Sequence, residues 1–349
     1  MINVQVNGKT VSVQENQTVL DACIAAGAKV PTLCHDDRFH KGEGSCRICM
    51  VEEEATGRLL PACVSPAEKD MKITTHSEKV INRRKMLLEL ILSDHNTDCL
   101  KCEKTGDCLL QDYAYEYEID MDKFLGRKKE AKITDSNKFF YLDQSKCILC
   151  TKCTRVCNEL QHHNVLSILN RGFETEVNTP FGIDMQEGNC ISCGNCVDAC
   201  PVGALLPKKD VKFRTWEVNK TQVTCHYCGV GCQMNLLTKD NKVVGVEAVK
   251  DAVNNGLLCV KGRFGYHYMS HDDRLKTPLI KKKGKFEEAT WDEALDLIKS
   301  KMSTIKKKHG GESIAFIAGG KATLEDNYML QKFARAVIGS NSIDCCARL

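Results

Sequence analysis

Twenty-two cysteines in 349 residues set the chemistry of this chain. Most fall in tight runs, where neighbouring thiols converge on a metal centre more readily than they pair as disulfides. Cys225-x2-Cys228-x3-Cys232 and the later Cys259 supply four thiolates at a spacing that holds one iron–sulfur cube. Upstream, Cys147-x2-Cys150-x2-Cys153-x3-Cys157 recurs as Cys190-x2-Cys193-x2-Cys196-x3-Cys200, followed by Pro201. In paired runs of this kind the fourth cysteine crosses to the other cube. Cys147, Cys150, Cys153 and Cys200 are therefore expected to hold one 4Fe–4S cluster, and Cys190, Cys193, Cys196 and Cys157 a second. His95-x3-Cys99-x2-Cys102-x5-Cys108 offers one imidazole and three thiolates, a set that suits a cluster or zinc. Cys34, Cys46, Cys49 and Cys63 suit a 2Fe–2S cluster, again with zinc as the alternative. These motifs use 19 cysteines and leave Cys23, Cys345 and Cys346. Cys23 reads as a small core residue. Adjacent Cys345 and Cys346 are awkward for chelating one ion and read as packing.

The elements that must carry these ligands show in the surrounding pattern. Val4 and Val6 alternate with polar residues, as do Val11 and Val13, with Asn7-Gly8 between them: a β-hairpin. Thr18 caps a helix through Val19, Leu20, Cys23 and Ile24 that Gly27 ends. Gly42 and Gly44 keep the loop before Cys46 open. Met86, Leu87, Leu90 and Ile91 recur at helical spacing after the basic Arg83-Arg84-Lys85, so a helix delivers His95. Tyr113, Tyr115 and Tyr117 read as packing residues. Gly229 and Gly231 let backbone approach a cluster, His226 lies between ligands without being one, and Val243–Val246 is a short strand returning the chain to Cys259. Further on, Trp291, Ala294, Leu295, Ile298, Met302 and Ile305 mark an amphipathic helix ended by Gly310-Gly311. Ser313–Ala318 reads as a buried strand. Thr323 and Asp326 start a helix ended by Gly339, and a new strand then begins at Ile343 with nothing to pair with.

Composition narrows the class. A net charge of +3 gives no case for a nucleic-acid partner, and 42% hydrophobic with 27% charged residues is ordinary for a globular protein. The start, Met1-Ile2-Asn3-Val4, lacks an export pattern. Arg83-Arg84 is internal, and no apolar run approaches the ~18–20 residues that span a bilayer. A reducing, cytoplasmic setting is expected.

Several of these motifs carry a resemblance to known families. Residues 1–78, with Cys34, Cys46, Cys49 and Cys63, resemble the 2Fe–2S ferredoxin module of the large iron–sulfur subunit of respiratory complex I. Residues 79–120 resemble the His-ligated 4Fe–4S module that follows it there and in iron-only hydrogenases. Residues 138–209 carry the tandem 4Fe–4S ferredoxin. Residues 218–274, through Cys225-His226-Tyr227-Cys228-Gly229-Val230-Gly231-Cys232 and Cys259-Val260-Lys261, resemble the 4Fe–4S domain of molybdopterin oxidoreductases, especially formate dehydrogenases. Residues 275–349 look like the start of the molybdopterin-binding α/β domain. The implied fold is an α+β multi-domain iron–sulfur protein beginning with a β-grasp module. The resemblance implies one 2Fe–2S and four 4Fe–4S clusters. It also implies a molybdopterin guanine dinucleotide with molybdenum or tungsten, and places Lys261 between the cube and a pterin.

The activity so implied is oxidation of formate to carbon dioxide. Electrons would pass through the clusters to a flavin- and NAD(P)-binding diaphorase-type subunit or a ferredoxin, with hydrogenase subunits as further partners. Ser342–Leu349 resembles the segment that precedes selenocysteine in formate dehydrogenases of the formate-hydrogen-lyase type. The expectation is that a UGA codon follows Leu349 and that the catalytic residues lie beyond it. Two other readings stay open: a non-catalytic electron-transfer subunit of a hydrogenase or bifurcating complex, and an iron-only hydrogenase, which residues 225–262 argue against. A zinc-storage protein is a more distant third.

Overall fold

A computed structural model describes residues 1–39, 41–121, 123–124 and 128–345. β1 (Ile2–Val6) and β2 (Lys9–Val13) form the expected hairpin, with Asn7 and Gly8 both at positive φ in a two-residue turn. α1 (Val19–Ala26) starts at a Thr18–Asp21 capping box and stops at Gly27 in the left-handed conformation. β3 (Met50–Glu53), β4 (Arg58–Pro61) and β5 (Lys72–Thr74) complete a five-stranded sheet in the order β2-β1-β5-β3-β4. β1 and β5 pair in parallel and the other neighbours antiparallel, so the sheet wraps α1 in a β-grasp arrangement. Val4, Val6, Val19, Leu20, Cys23, Val51 and Ile73 form its core.

α2 (Glu78–Asp94) is capped by Ser77 and ends at His95. Its buried stripe is Val80, Arg84, Leu88 and Leu92 rather than the one read from the sequence. Met86 and Leu90 are exposed, and Leu87 and Ile91 only flank the core. The stripe turned because Arg84 is drawn inside: its Nε and Nη2 donate to the Met50 carbonyl at 3.2 and 2.7 Å, and Nη1 donates to the Tyr117 hydroxyl at 3.1 Å. α3 (Leu109–Glu116) follows, with Tyr113 and Tyr117 buried. Tyr115, expected to pack, is exposed.

β6 (Ile133–Thr134), β7 (Phe140–Asp143), α4 (Lys152–Arg155), α5 (Asn195–Ala199) and β10 (Leu205–Pro207) build the tandem ferredoxin. β8 (Ser167–Leu169) and β9 (Glu176–Asn178) form a hairpin in the insert between its two runs. One core joins this region to α2 and α3, running from Leu33 and Ile48 through Leu88, Leu110, Phe140 and Leu205 to Phe264. The modules are therefore fused through a shared apolar interior.

β11 (Asn219–Thr224), β12 (Gln233–Lys239) and β13 (Lys242–Ala248) form an antiparallel sheet, followed by α6 (Val260–Phe264). β14 (Leu279–Lys282) and β15 (Lys285–Glu288) are a hairpin turning at Lys283-Gly284. α7 (Trp291–His309) begins at a Thr290–Glu293 capping box and ends in Lys306, Lys307, Lys308 and His309, matched to the helix dipole. β16 (Phe316–Ala318), α8 (Leu324–Lys332) and β17 (Ile343–Cys345) form a strand–helix–strand unit. The strand expected to lack a partner pairs in parallel with β16. β16 is not buried: with one neighbour it leaves Ile317 exposed. Cys346 and the three residues after it lie outside the described residues.

Candidate metal centres

The first site gathers Cys34, Cys46, Cys49 and Cys63. Cys34 stands within hydrogen-bonding reach of Cys46 and Cys63, and Cys49 of Cys63. Donation from Cys46 and Cys63 pushes the Cys34 thiol well below its ordinary range, and donation from Cys63 lowers Cys49. Cys46 and Cys63, the proton holders, are pushed up. The four sulfurs thus lie near one another at the mouth of one pair of loops, Cys34, Cys49 and Cys63 buried and Cys46 half-buried. A Cβ at Gly42 would lie 2.0 Å from the Cys63 carbonyl oxygen, so only glycine lets the two ligand loops close. Cys23 is fully buried beside this set, and burial raises its thiol to about 11.

At the second site His95 caps the C-terminus of α2 and Cys108 stands at the N-terminus of α3. His95 is 9% exposed, and its Nδ1 is buried without a hydrogen-bond partner. Burial, then the charges of Lys146 and Lys128, lower its pKa to about 4, so the imidazole is neutral and able to ligate. Cys102 lies close enough to Cys99 and Cys108 to raise both thiols beyond what burial does. A buried, unpartnered imidazole nitrogen is an orphan that a metal would satisfy.

Two cavities occupy the tandem ferredoxin. One is a small gap walled by Cys147, Cys150, Cys153 and Cys200 with Leu142, Val177 and Leu205. The other is walled by Cys157, Cys190, Cys193 and Cys196 with Phe140, Leu166 and Met185. The fourth cysteine of each run thus faces the cavity of the other. The two runs repeat in backbone as well as spacing: Leu149 and Thr151 in the first, and Ser192 and Gly194 in the second, all have positive φ. Such a loop turns successive N–H groups toward an anionic centre. Burial pushes Cys147 up to about 11 and Cys153 and Cys196 well above the thiol range. Apolar walls disfavour bare thiolates, so thiolates here would need a bound metal centre to supply the compensating charge. Asn137 donates to Cys190 Sγ at 3.7 Å and to Ser192 Oγ at 3.0 Å.

The fifth site joins Cys225 at the end of β11, Cys228, Cys232 before β12, and Cys259 at the N-terminus of α6. The Cys225 N–H donates to the Cys232 carbonyl at 2.7 Å. Burial, then Cys225, Cys228 and Cys259, raise the Cys232 thiol. This site is more open than the others: Cys228 and Cys259 are exposed. Gly231 has φ +68°, whereas Gly229 has neither positive φ nor a neighbour within 4 Å. His226 shares a 2.8 Å hydrogen bond with the Tyr268 hydroxyl and stacks on Tyr227. Lys261 lies exposed on α6. Among the described residues, no three ligating side chains converge as the ligands of one ion would. A 4Fe–4S cluster instead asks for one ligand per iron, spread over its corners, and a 2Fe–2S cluster for two on each iron.

Sequence reasoning missed three arginines and an asparagine. Arg84, Arg214, Arg263 and Asn195 all bond the ligand loops, but their partners lie 34 to 114 residues away along the chain. No local spacing signal exposes such contacts. Among the described residues, no helix is long and apolar enough to cross a membrane.

Comparisons with known proteins match the chain in five stretches. Residues 1–78 match the 2Fe-2S iron-sulfur cluster binding domain, and 84–122 the NADH-ubiquinone oxidoreductase-G iron-sulfur binding region. Residues 138–206 match the NADH-quinone oxidoreductase subunit 3 ferredoxin-like domain. Residues 218–271 match the molybdopterin oxidoreductase Fe4S4 domain, and 274–349 molybdopterin oxidoreductase itself. Among relatives, the NADPH-Fe(3+) oxidoreductase subunit alpha of Geobacter sulfurreducens is 35% identical over 100% of this chain and 40% of its own length. A G-type NADH-quinone oxidoreductase subunit of Rhizobium meliloti is 32% identical over the same shares. A Staphylococcus haemolyticus protein provisionally named a formate dehydrogenase is 29% identical over 99% of this chain and 39% of its own. The chain thus spans about 40% of the length of these relatives. A chain from the crystal structure of an NAD+-reducing nickel–iron hydrogenase superposes with TM-score 0.57 at 31% identity, covering 61% of this chain and 90% of that one. This chain therefore joins iron–sulfur domains of the NADH-quinone oxidoreductase G type to the Fe4S4 domain and leading α/β segment of a molybdopterin oxidoreductase.

Proposed function

We propose that this chain is the electron-carrying portion of a molybdopterin-dependent, NAD(P)-linked formate dehydrogenase acting in the cytoplasm. Its ligands are Cys34, Cys46, Cys49 and Cys63 for a 2Fe–2S cluster, then His95, Cys99, Cys102 and Cys108 for a 4Fe–4S cluster. The two crossed ferredoxin sets and Cys225, Cys228, Cys232 and Cys259 hold three more. When bound, the clusters supply one-electron relays and a molybdenum or tungsten pterin the two-electron oxidation of formate. The chain's own residues do the rest. Thiolates fix each centre, apolar walls keep water from the ferredoxin sites, neutral His95 lowers the negative charge of its site, and Lys261 lies on the pterin side of the last cube. The observation that carries the reading is the pair of cavities in which Cys157 and Cys200 change places. It sits in one chain with a domain of molybdopterin oxidoreductase type.

The test uses the natural full-length protein, purified without oxygen. Iron and sulfide matching one 2Fe–2S and four 4Fe–4S centres, with formate-dependent reduction of those centres, is the expected result. Zinc in place of iron, or clusters that formate leaves oxidised, would overturn it. A second reading, an electron-transfer subunit for a hydrogenase, is favoured by the likeness to the hydrogenase chain. Reduction by hydrogen and a hydrogenase partner, but not by formate, distinguishes it.

A further inference from the structure

Three ligand loops are each gripped by an arginine that another part of the chain supplies. Arg84 of α2 is fully buried and donates twice to the Met50 carbonyl, one residue from Cys49. Arg214, in the segment before β11, donates to the carbonyls of Cys102 and, at 2.7 Å, of Leu100, inside the His95 site. Arg263 of α6 is 3% exposed and donates from Nε to the Cys193 carbonyl at 2.8 Å. Its Nη2 donates to Asn195 Oδ1 at 2.9 Å and its Nη1 pairs with Asp198 at 2.6 Å.

The Arg263 contact is built in depth. Asn195, 1% exposed, exchanges two hydrogen bonds with the Leu258 backbone at 3.0 and 3.1 Å. Asn195 adjoins Cys196 and Leu258 adjoins Cys259, so one side chain ties the ligand loops of two sites. Gly194 has φ +71°, and a Cβ there would lie 2.4 Å from Arg263 Cδ and 2.8 Å from Phe264 Cζ. Phe264 in turn stacks on Phe139 at 4.8 Å.

A buried guanidinium bonded to carbonyls is an expensive way to hold a loop unless negative charge stands nearby. Asp198 meets part of that need for Arg263; thiolate-ligated clusters, which grow more negative on reduction, would meet the rest, and net charge and hydrogen bonding around a cluster set its potential. We infer that Arg84, Arg214 and Arg263 are positioning residues that lock each cluster module to another part of the chain and favour the reduced state of the cluster they border. The inference rests on the cluster reading above. Arg84 reaches the 2Fe–2S ligand loop at the Met50 carbonyl, Arg214 the His95 site at Leu100 and Cys102, and Arg263 the site of Cys157, Cys190, Cys193 and Cys196 at the Cys193 carbonyl. Arg84, fully buried, acts most strongly, and Arg263, whose charge Asp198 partly offsets, less so.

Redox titration of the cluster-loaded holoprotein, followed by electron paramagnetic resonance, tests it. Arg84→Gln is expected to lower the midpoint potential of the 2Fe–2S signal alone. Arg263→Gln is expected to lower only the 4Fe–4S signal that Cys193→Ser also perturbs, and Arg214→Gln to give a smaller shift at the His95 cluster. Arg84→Lys and Arg263→Lys should recover most of each shift. Midpoints that stay at wild-type values while thermal stability falls would overturn the inference and leave the arginines as structural ties. Equal shifts at all clusters would overturn it too. Absence of the signals from the wild-type protein would instead overturn the cluster reading, which iron and sulfide content reports separately.

Discussion

The first 272 residues and the segment after Arg274 are built from equally clear local signals, yet they differ in what those signals achieve. In the first region helices, strands and ligand loops share a continuous interior from Leu33 to Phe264. In the second, α7 and α8 both carry complete capping boxes, yet Ala334, Ile338 and Ser340 are the buried residues among those described after Arg274. Trp291, Leu295 and Ile298 on α7 and Tyr328 and Met329 on α8 lie exposed. Capping is satisfied within one turn of helix, whereas an apolar face needs a second surface. The amphipathic pattern of α7 states that need, and nothing among the described residues covers it.

Removing iron should separate the regions most sharply. Metal–thiolate binding is worth on the order of 10 kcal/mol in small sites. Chelation under reducing conditions is expected to abolish cooperative unfolding and open residues 1–272 to protease, while the helical signal of α7 changes little. Survival of a cooperative transition in the apo-protein would show that the apolar core suffices.

Arg84→Met comes next. It strands the half-buried Met50 carbonyl and the buried Tyr117 hydroxyl, and a loss of about 3 kcal/mol in denaturant stability is expected. The matched substitution Ile298→Ala, on the exposed face of α7, should stay within about 0.5 kcal/mol. If the two losses are equal, the contrast between the regions fails.

Thr290→Ala removes the side-chain acceptor that the Glu293 N–H uses. It should cost about 1 kcal/mol, visible as faster amide exchange in the first turn of α7 and nowhere in the ferredoxin sites. The smallest effect is one of pH. The Thr290 N–H bonded to Glu293 holds that carboxyl below its ordinary range. A depressed folded-state pKa means the cap is fully present above the ordinary glutamate range and is lost as pH falls through the lowered value. Protection of the amides in that first turn, taken relative to their intrinsic exchange at each pH, should therefore fall on acidification in the wild type and stay constant in Glu293→Gln.

Much of the layout is legible in the sequence because its causes are local. The Asn7-Gly8 turn, the Thr18 cap, the Gly27 stop and the doubled cysteine run each depend on residues a few positions apart. The helix that ends at His95 is legible too, but its inward face is not. Periodicity picks the apolar residues Met86 and Leu90, while the structure buries Arg84, whose acceptors Met50 and Tyr117 come from two other elements. Tyr115 fails for the same reason: an aromatic residue is buried only if its side of α3 meets the core. The pairing of β17 with β16 depends on a crossover through α8, which no pattern in Ile343–Cys345 reveals.

By itself, then, the sequence determined which residues can ligate, how the runs repeat and where each helix starts and stops, since thiol spacing and capping act over short distances. The tertiary structure decided which thiols share a cavity, which arginines reach them and which apolar faces find a partner. Those outcomes depend on burial between segments far apart in the chain, where charge, shape and hydrogen bonding must be met together.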